Sequence, residues 1–328
     1  MTATLDSDAR GVLDAIAASG EPHLSTLSVD EARRRVRAAL ISKRPRLPLQ
    51  RVEDASLPTP SGALRVRLYR PGAGRLPVAL FLHGGGWTVN DVDTHDELCR
   101  RLAKRSGWLL ASLDYRKAPE HKHPAAIEDA YLAYRWLLDN ADALGCDPVR
   151  RALIGESSGG MIAANLSLLL RDSGAPMPTY QVLAYPVADS FTYWPSYTER
   201  GDGYILDRAL LRWYLDQYLS PTCSPGDPYL MPLATEDLSG LPPALILTAE
   251  FDPLRDEGVA YARRLAAAGV AVEHVHATDQ MHGFLLLGRV VPKAGTLIDR
   301  TASALARAHQ NLPTSGDRLD LTESPPAR

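Results

Sequence analysis

The segment RRALIGESSGGMIAANLSLLLRDSG, residues 150–174, decides the fold. Its first six residues read as a buried strand and the stretch from Gly159 onward as an apolar-faced helix. Between them lies Gly155-Glu156-Ser157-Ser158-Gly159, a G-x-S-x-G turn in the strand–turn–helix setting that a serine nucleophile needs. The reason is steric. A serine on a sharp turn tolerates little bulk two residues to either side, and glycine supplies the room. The helix N-terminus behind the turn favours developing negative charge. Ser157 has glycine on both sides at that spacing, whereas Ser158 has Glu156 two residues before it, so Ser157 is the candidate nucleophile.

Outward from this segment the chain alternates strands with helices. Upstream, PVALFLH (77–83) and WLLASLDY (108–115) are continuous apolar runs, as in strands buried on both faces. HDELCRRLAKRSG (95–107) and AAIEDAYLAYRWLLDNADALG (125–145) have helical periodicity. Downstream, YQVLAYPV (180–187), ALILTAEFD (244–252) and AVEHVHA (271–277) read as strands. DEGVAYARRLAAAG (256–269) and LIDRTASALARAHQ (297–310) read as helices. Such alternation predicts an α/β fold with a mostly parallel central sheet flanked by helices. Residues 51–70 predict two further strands, and the first fifty residues predict amphipathic helix up to the break at RPRLP (44–48). An aromatic- and proline-rich excursion over 188–240, with a helix-like ILDRALLRWYLDQYL (205–219), interrupts the alternation and predicts a lid over the site.

The domain reading is a helical cap part at 1–50, a first core part at 51–187, a cap insertion at 188–225 and a second core part at 226–312. A polar, proline-containing tail at 313–328 is expected to be disordered.

Bulk properties narrow the function. The 328 residues are 45% hydrophobic and 23% charged, with net charge −3, which is ordinary globular composition with no basic stripe for nucleic acid. Cys99, Cys146 and Cys223 form neither a disulfide framework nor a metal-binding cluster. The N-terminus carries no signal-type apolar run, and no segment reads as a membrane span, so a soluble cytoplasmic protein is expected.

A serine hydroxyl needs a base. Asp252, after one strand, and His282, after the last strand, follow Ser157 in the chain order Ser, acid, His, each at the sheet edge where parallel sheets place their sites. Asp256 and Glu257 are alternative acids, although carboxylates there also suit the start of the following helix. His274 and His276 alternate within a strand. His121 and His123 sit in a proline-bounded loop where, with Glu120, they form a weak metal reading. No H-E-x-x-H helix accompanies it, and no metal is assigned.

His83-Gly84-Gly85-Gly86-Trp87, directly after a buried strand, can present backbone N–H groups to an oxyanion. Donors so placed contribute about 3–4 kcal/mol each to the transition state. Gly85, Gly86 and the Ser158 N–H are the expected donors; Gly84 belongs to the same loop and shapes it, and His83 anchors it. A phosphate loop is the competing reading, but the segment fits neither a Walker nor a G-x-G-x-x-G pattern. Trp87, Tyr193, Trp194, Tyr204 and Trp213 are candidates to line a substrate pocket, with cap core as the alternative.

Together HGGGW, LDYRKAPEHKHPAAIEDA, GESSGG, LAYPV, SGLPPALILTAEFDPLRDEG and HGF, spread over about residues 75 to 290, resemble the hormone-sensitive lipase family of bacterial esterases. The resemblance implies an α/β-hydrolase core under a helical cap. It also implies hydrolysis of short- to medium-chain acyl esters without metal or cofactor, and members often dimerise, which raises a homodimer here. Three positions depart from the family's usual pattern: Glu156 stands for Asp, Ser158 for Ala and Lys117 for Leu. Related acyl hydrolases (N-deacetylase, arylformamidase, lactonase) use the same machinery, and a small-molecule receptor on a hydrolase scaffold is the reading from another class.

Overall fold

In a computed structural model of the chain, the described residues are 3–42, 44–189, 193–224, 226–227 and 229–310. The expected tail at 313–328 lies outside them, as do residues 190–192 of the excursion.

Eight strands form one sheet: β1 (Arg51–Thr59), β2 (Gly62–Arg70), β3 (Leu76–Leu82), β4 (Leu109–Asp114), β5 (Cys146–Glu156), β6 (Tyr180–Ala184), β7 (Ala244–Phe251) and β8 (Val272–Met281). Their spatial order is β1-β2-β4-β3-β5-β6-β7-β8. β2 pairs antiparallel with both β1 and β4, and β3 to β8 run parallel with β4. The sequence accounts for the difference. β3, β4 and β6 are apolar on both faces because helices cover both, whereas β1 alternates exposed and inward positions at the sheet's edge.

The helices are α1 (Ser7–Ala18), α2 (Val29–Leu40), α3 (Asp96–Ser106), α4 (Ala125–Asp139), α5 (Ala141–Leu144), α6 (Ser158–Asp172), α7 (Ser196–Glu199), α8 (Arg208–Tyr218), α9 (Arg255–Ala267) and α10 (Pro292–Gln310). Two buried clusters line the two faces of the sheet. One is centred on α4, α6 and α9 with Leu80, Leu153 and Ile246. The other is centred on α3 and α10 with Phe81, Ile154 and Leu247. Adjacent residues of one strand thus serve opposite layers.

Two elements differ from the sequence reading. The helix expected over 125–145 divides at Asn140, whose side-chain amide donates to the Trp136 carbonyl and closes the first helix before the short second one. The amphipathic N-terminal stretch forms two helices, each capped by a side chain, Asp6 for α1 and Ser28 for α2, with a short 3₁₀ turn at Leu24–Thr26 between them. Among the described residues no helix is long and apolar enough to cross a membrane.

Candidate active site

Ser157 sits at the end of β5 with φ +56° and ψ −123°, a conformation unfavourable for any residue with a side chain. Such strain costs on the order of 1–3 kcal/mol and persists where the surroundings over-determine it. Here they do. The Ser157 N–H donates to Ala184 O at 2.9 Å, and its carbonyl accepts from Met161 and Val187, each at 3.2 Å. The flanking glycines are obligatory. A Cβ on Gly155 would lie 2.1 Å from Gly159 O, and one on Gly159 would lie 2.1 Å from Leu82 O.

The structure brings Ser157, His282 and Asp252 together. His282 Nε2 is 2.9 Å from Ser157 Oγ, and His282 Nδ1 is 2.8 Å from Asp252 Oδ2. Asp252 leaves β7 and His282 leaves the neighbouring β8, with β6 between them and β5, so the ends of parallel strands set the spacing. Asp252 is fully buried and its other oxygen accepts the Leu254 N–H at 2.9 Å. The edge of the Tyr185 ring meets the His282 imidazole, with centroids 4.8 Å apart.

The other candidate acids and histidines are occupied elsewhere. Asp256 accepts from the Ser196 N–H and from Arg255. Glu257 accepts the Ala188 N–H at 2.8 Å and the Tyr197 hydroxyl; burial pushes its carboxyl well above the usual carboxylate range. His274 and His276 both meet Thr248 Oγ1 at 2.9 Å. Glu120 is paired with Arg33, and His123 with the Tyr218 hydroxyl.

The loop His83-Gly84-Gly85-Gly86-Trp87 follows β3 and faces the elbow. Gly85 has φ +108° and Gly86 φ +56°. A Cβ on Gly86 would lie 2.1 Å from the Tyr214 ring, so glycine is required there twice over, by conformation and by contact. Among the described residues the Gly85 and Gly86 N–H groups have no acceptor. Ser158 opens α6, where no intrahelical acceptor exists for its N–H. Gly84 is not among the donors, because its N–H is taken by the Glu156 carboxylate. Its role is to let that carboxylate approach, since a Cβ there would lie 2.1 Å from Glu156 Oε1. His83 sits at the base of the loop: its Nδ1–H donates to Gly84 O at 2.8 Å and its ring stacks on Tyr115 at 4.2 Å. Burial holds this imidazole well below the ordinary histidine range, so it is neutral.

Two of the three departures from the family pattern act on this loop. The Ser158 hydroxyl accepts the Trp87 N–H at 3.2 Å, and Glu156 holds Gly84. Lys117 instead pairs with Asp114 at 2.6 Å.

A cavity of about 390 Å³ opens onto Ser157, His282, Gly85 and Gly86. Its walls are mostly aliphatic: Val12 and Ile16 from α1, Val36 and Leu40 from α2, Ile205 and Leu206 ahead of α8, Leu210 and Leu211 from α8, and Leu286 and Leu287 after His282, with the Tyr214 ring of α8 beside them. Of the five aromatics expected in the pocket only Trp87 lines it; Tyr193, Trp194, Tyr204 and Trp213 do not. Tyr193 is 69% exposed. Trp194 donates to Asp189, Tyr204 packs on Phe251, and Trp213 lies edge-on to Tyr214. For Trp213 the reason is helix phase: Leu210, Leu211 and Tyr214 share one face of α8, and Trp213 falls outside it. That spacing is legible in the sequence, although which face of α8 turns inward is not. Asn90 and the leucines after His282 carried no comparable signal.

Comparison with known proteins places the chain in a family. A family model described as alpha/beta hydrolase fold matches residues 79–286. The carboxylic ester hydrolase LipN of Mycobacterium tuberculosis is 44% identical over 265 residues, 79% of this chain and 70% of that protein. An ethyl acetate hydrolase of Pseudomonas putida is 41% identical, covering 83% of this chain and 87% of that one. Among solved structures, an ester hydrolase from the metagenome of Lake Arreo, in complex with a bipyridine phosphonate derivative, superposes with a TM-score of 0.90 at 36% identity, covering 94% of this chain and 100% of that chain. The chain belongs to the α/β-hydrolase family, on the hormone-sensitive-lipase side to which its motifs pointed.

Proposed function

We propose that the protein is a serine carboxylester hydrolase acting on short- to medium-chain acyl esters, with Ser157, His282 and Asp252 as its catalytic triad. The observation that carries this reading is the unbroken relay from Ser157 Oγ through His282 to Asp252, at 2.9 and 2.8 Å, on the wall of an apolar cavity. Similarity to proteins named as carboxylic ester, ethyl acetate and metagenomic ester hydrolases supports the reaction class.

The chemistry follows from the placement. Ser157 Oγ attacks the ester carbonyl carbon while its proton passes to His282 Nε2. The tetrahedral oxyanion lies against the N–H groups of Gly85, Gly86 and Ser158. Asp252 accepts the Nδ1–H, which fixes the tautomer and supports the imidazolium. His282 then protonates the departing alcohol, and a water deprotonated by His282 releases the acid from Ser157. Every step uses groups of the chain and water. We assign the cap to two segments, 1–50 and 188–225, because together they supply most of the cavity's apolar wall.

The test is Ser157→Ala assayed with p-nitrophenyl butyrate, with fluorophosphonate labelling of the unmodified protein alongside. Turnover is expected to fall about 10⁵- to 10⁶-fold, by analogy with serine-hydrolase nucleophile deletions, and Ser157 is expected to be the labelled residue. Undiminished turnover by the Ala variant would sink the triad. Stoichiometric labelling without ester turnover would leave an amide or lactone hydrolase as the reading. Absence of labelling would point to a receptor.

A further inference from the structure

Beside the triad lies a second acid–histidine pair that the mechanism above does not use. His95 Nε2 is 2.9 Å from Glu156 Oε1, and the same oxygen receives the Gly84 N–H. Glu156 is 3% exposed and His95 fully buried.

The protons in this cluster can be counted. Thr94 Oγ1 has one hydrogen and lies 2.8 Å from Asp91 O, which can only accept, so the hydroxyl proton is committed there. Thr94 Oγ1 also receives the Asp91 N–H at 3.0 Å and stands 3.0 Å from His95 Nδ1. With its proton spent, it must accept from Nδ1–H as well. His95 therefore carries a proton on Nδ1, and one further proton lies between Nε2 and Glu156. An oxygen already facing the Gly84 N–H is a far better acceptor as carboxylate than as hydroxyl. The pair is therefore imidazolium and carboxylate.

We propose that Glu156 is a positioning residue: its carboxylate, held charged by His95, clamps Gly84 and thereby aims the Gly85 and Gly86 N–H groups at the reacting carbonyl oxygen. This rests on the esterase reading given above. Burial alone would raise the Glu156 carboxyl, but the His95 hydrogen bond, the charges of His95 and His282 and the Gly84 N–H together hold it below the ordinary range. The ionisable groups beside Glu156 include His95, His282, Tyr115, Tyr185 and Tyr214. The carboxylate thus also favours the His282 imidazolium that forms during acyl transfer.

Two variants test this, with Ser157→Ala run in parallel. Glu156→Gln keeps the length and an acceptor for Gly84 but removes the charge. It is expected to lower kcat about tenfold or more with KM little changed, the pattern of a loss felt mainly in the transition state. It should also move the acid limb of the kcat/KM profile to lower pH. Glu156→Asp restores the charge and should recover most of kcat and the original limb. Fluorophosphonate stoichiometry confirms that each variant is folded. The proposal is overturned if folded Glu156→Gln matches the wild type in kcat and acid limb, or if Glu156→Asp does no better than Glu156→Gln. Should Ser157→Ala remain active, the esterase reading itself fails, whatever the Glu156 variants do.

Discussion

The two sides of the cavity are built on different principles. The side carrying Ser157, His282 and Asp252 is the edge of a sheet whose strands are locked by ladder hydrogen bonds and covered on both faces. The other side, α1, α2 and α8, has no ladder. It is attached by leucine contacts and by ion pairs that cross long stretches of sequence. Arg33 of α2 donates to Thr88 O and Ala118 O, each at 2.9 Å, and to both oxygens of Glu120. Arg37 pairs with Asp91 and Asp93, and His23 with Asp207 at the start of α8. The two sides meet where Tyr214 covers Gly86 and Tyr218 stacks on Trp87 at 4.1 Å. The reactive geometry is thus over-determined, while the shape of the substrate space depends on separable contacts. Changes on the first side should act on the rate of chemistry, and changes on the second on selectivity and attachment.

The largest expected effect breaks the first side. His282→Ala should lower kcat about as far as Ser157→Ala, and the double variant should be no worse than either single one, because the pair acts as a unit. Asp252→Asn should cost about 10⁴-fold if the histidine then takes the wrong tautomer. Independent, multiplying losses from Ser157 and His282 in the double variant would show that the 2.9 Å contact is not the working one.

The same contrast explains what could be read from the chain. Gly155, Ser157 and Gly159 were legible because a tight turn restricts each residue type locally, and a Cβ at either glycine meets backbone about 2.1 Å away. Asp252 and His282 were legible as residues following strands in a fixed chain order. The cavity wall was not, since which face of α8 turns inward is settled by tertiary packing. Aromatic content suggested Trp213 and Tyr204, but Leu210, Leu211 and Tyr214 line the space. Gly84 reads as a glycine that shapes the loop, but nothing in the sequence shows that a carboxylate 72 positions away takes its N–H.

An intermediate effect comes from that wall. Leu211 lies in the cavity on the inward face of α8. Leu211→Trp should shorten the space and lower the octanoate-to-acetate ratio of kcat/KM about tenfold, the size expected for one or two methylenes excluded from an apolar pocket. An unchanged ratio in a folded variant would mean that the chain of the ester runs along another wall, toward Leu286 or α1.

The smallest expected effect tests attachment. Arg33, through its hydrogen bond and charge, holds the Glu120 carboxyl down to about 2 from its ordinary 4.5. A carboxyl with a lowered folded pKa contributes stability above its unfolded value and loses it as pH falls toward the folded one. The pair should therefore act fully at neutral pH and fade between about 4.5 and about 2. Glu120 is 52% exposed, so solvent screening limits the contribution to about 1 kcal/mol or less. Glu120→Gln should lower the thermal midpoint by at most a few degrees at pH 7, and the gap from the wild type should narrow steadily as pH is taken from 5 to 3. Arg33→Ala, which also removes the bonds to Thr88 and Ala118, should keep a gap that acid does not close. If the two variants instead behave alike at every pH, the carboxylate, and not the two backbone carbonyls, is what holds α2 against the loop beyond Trp87.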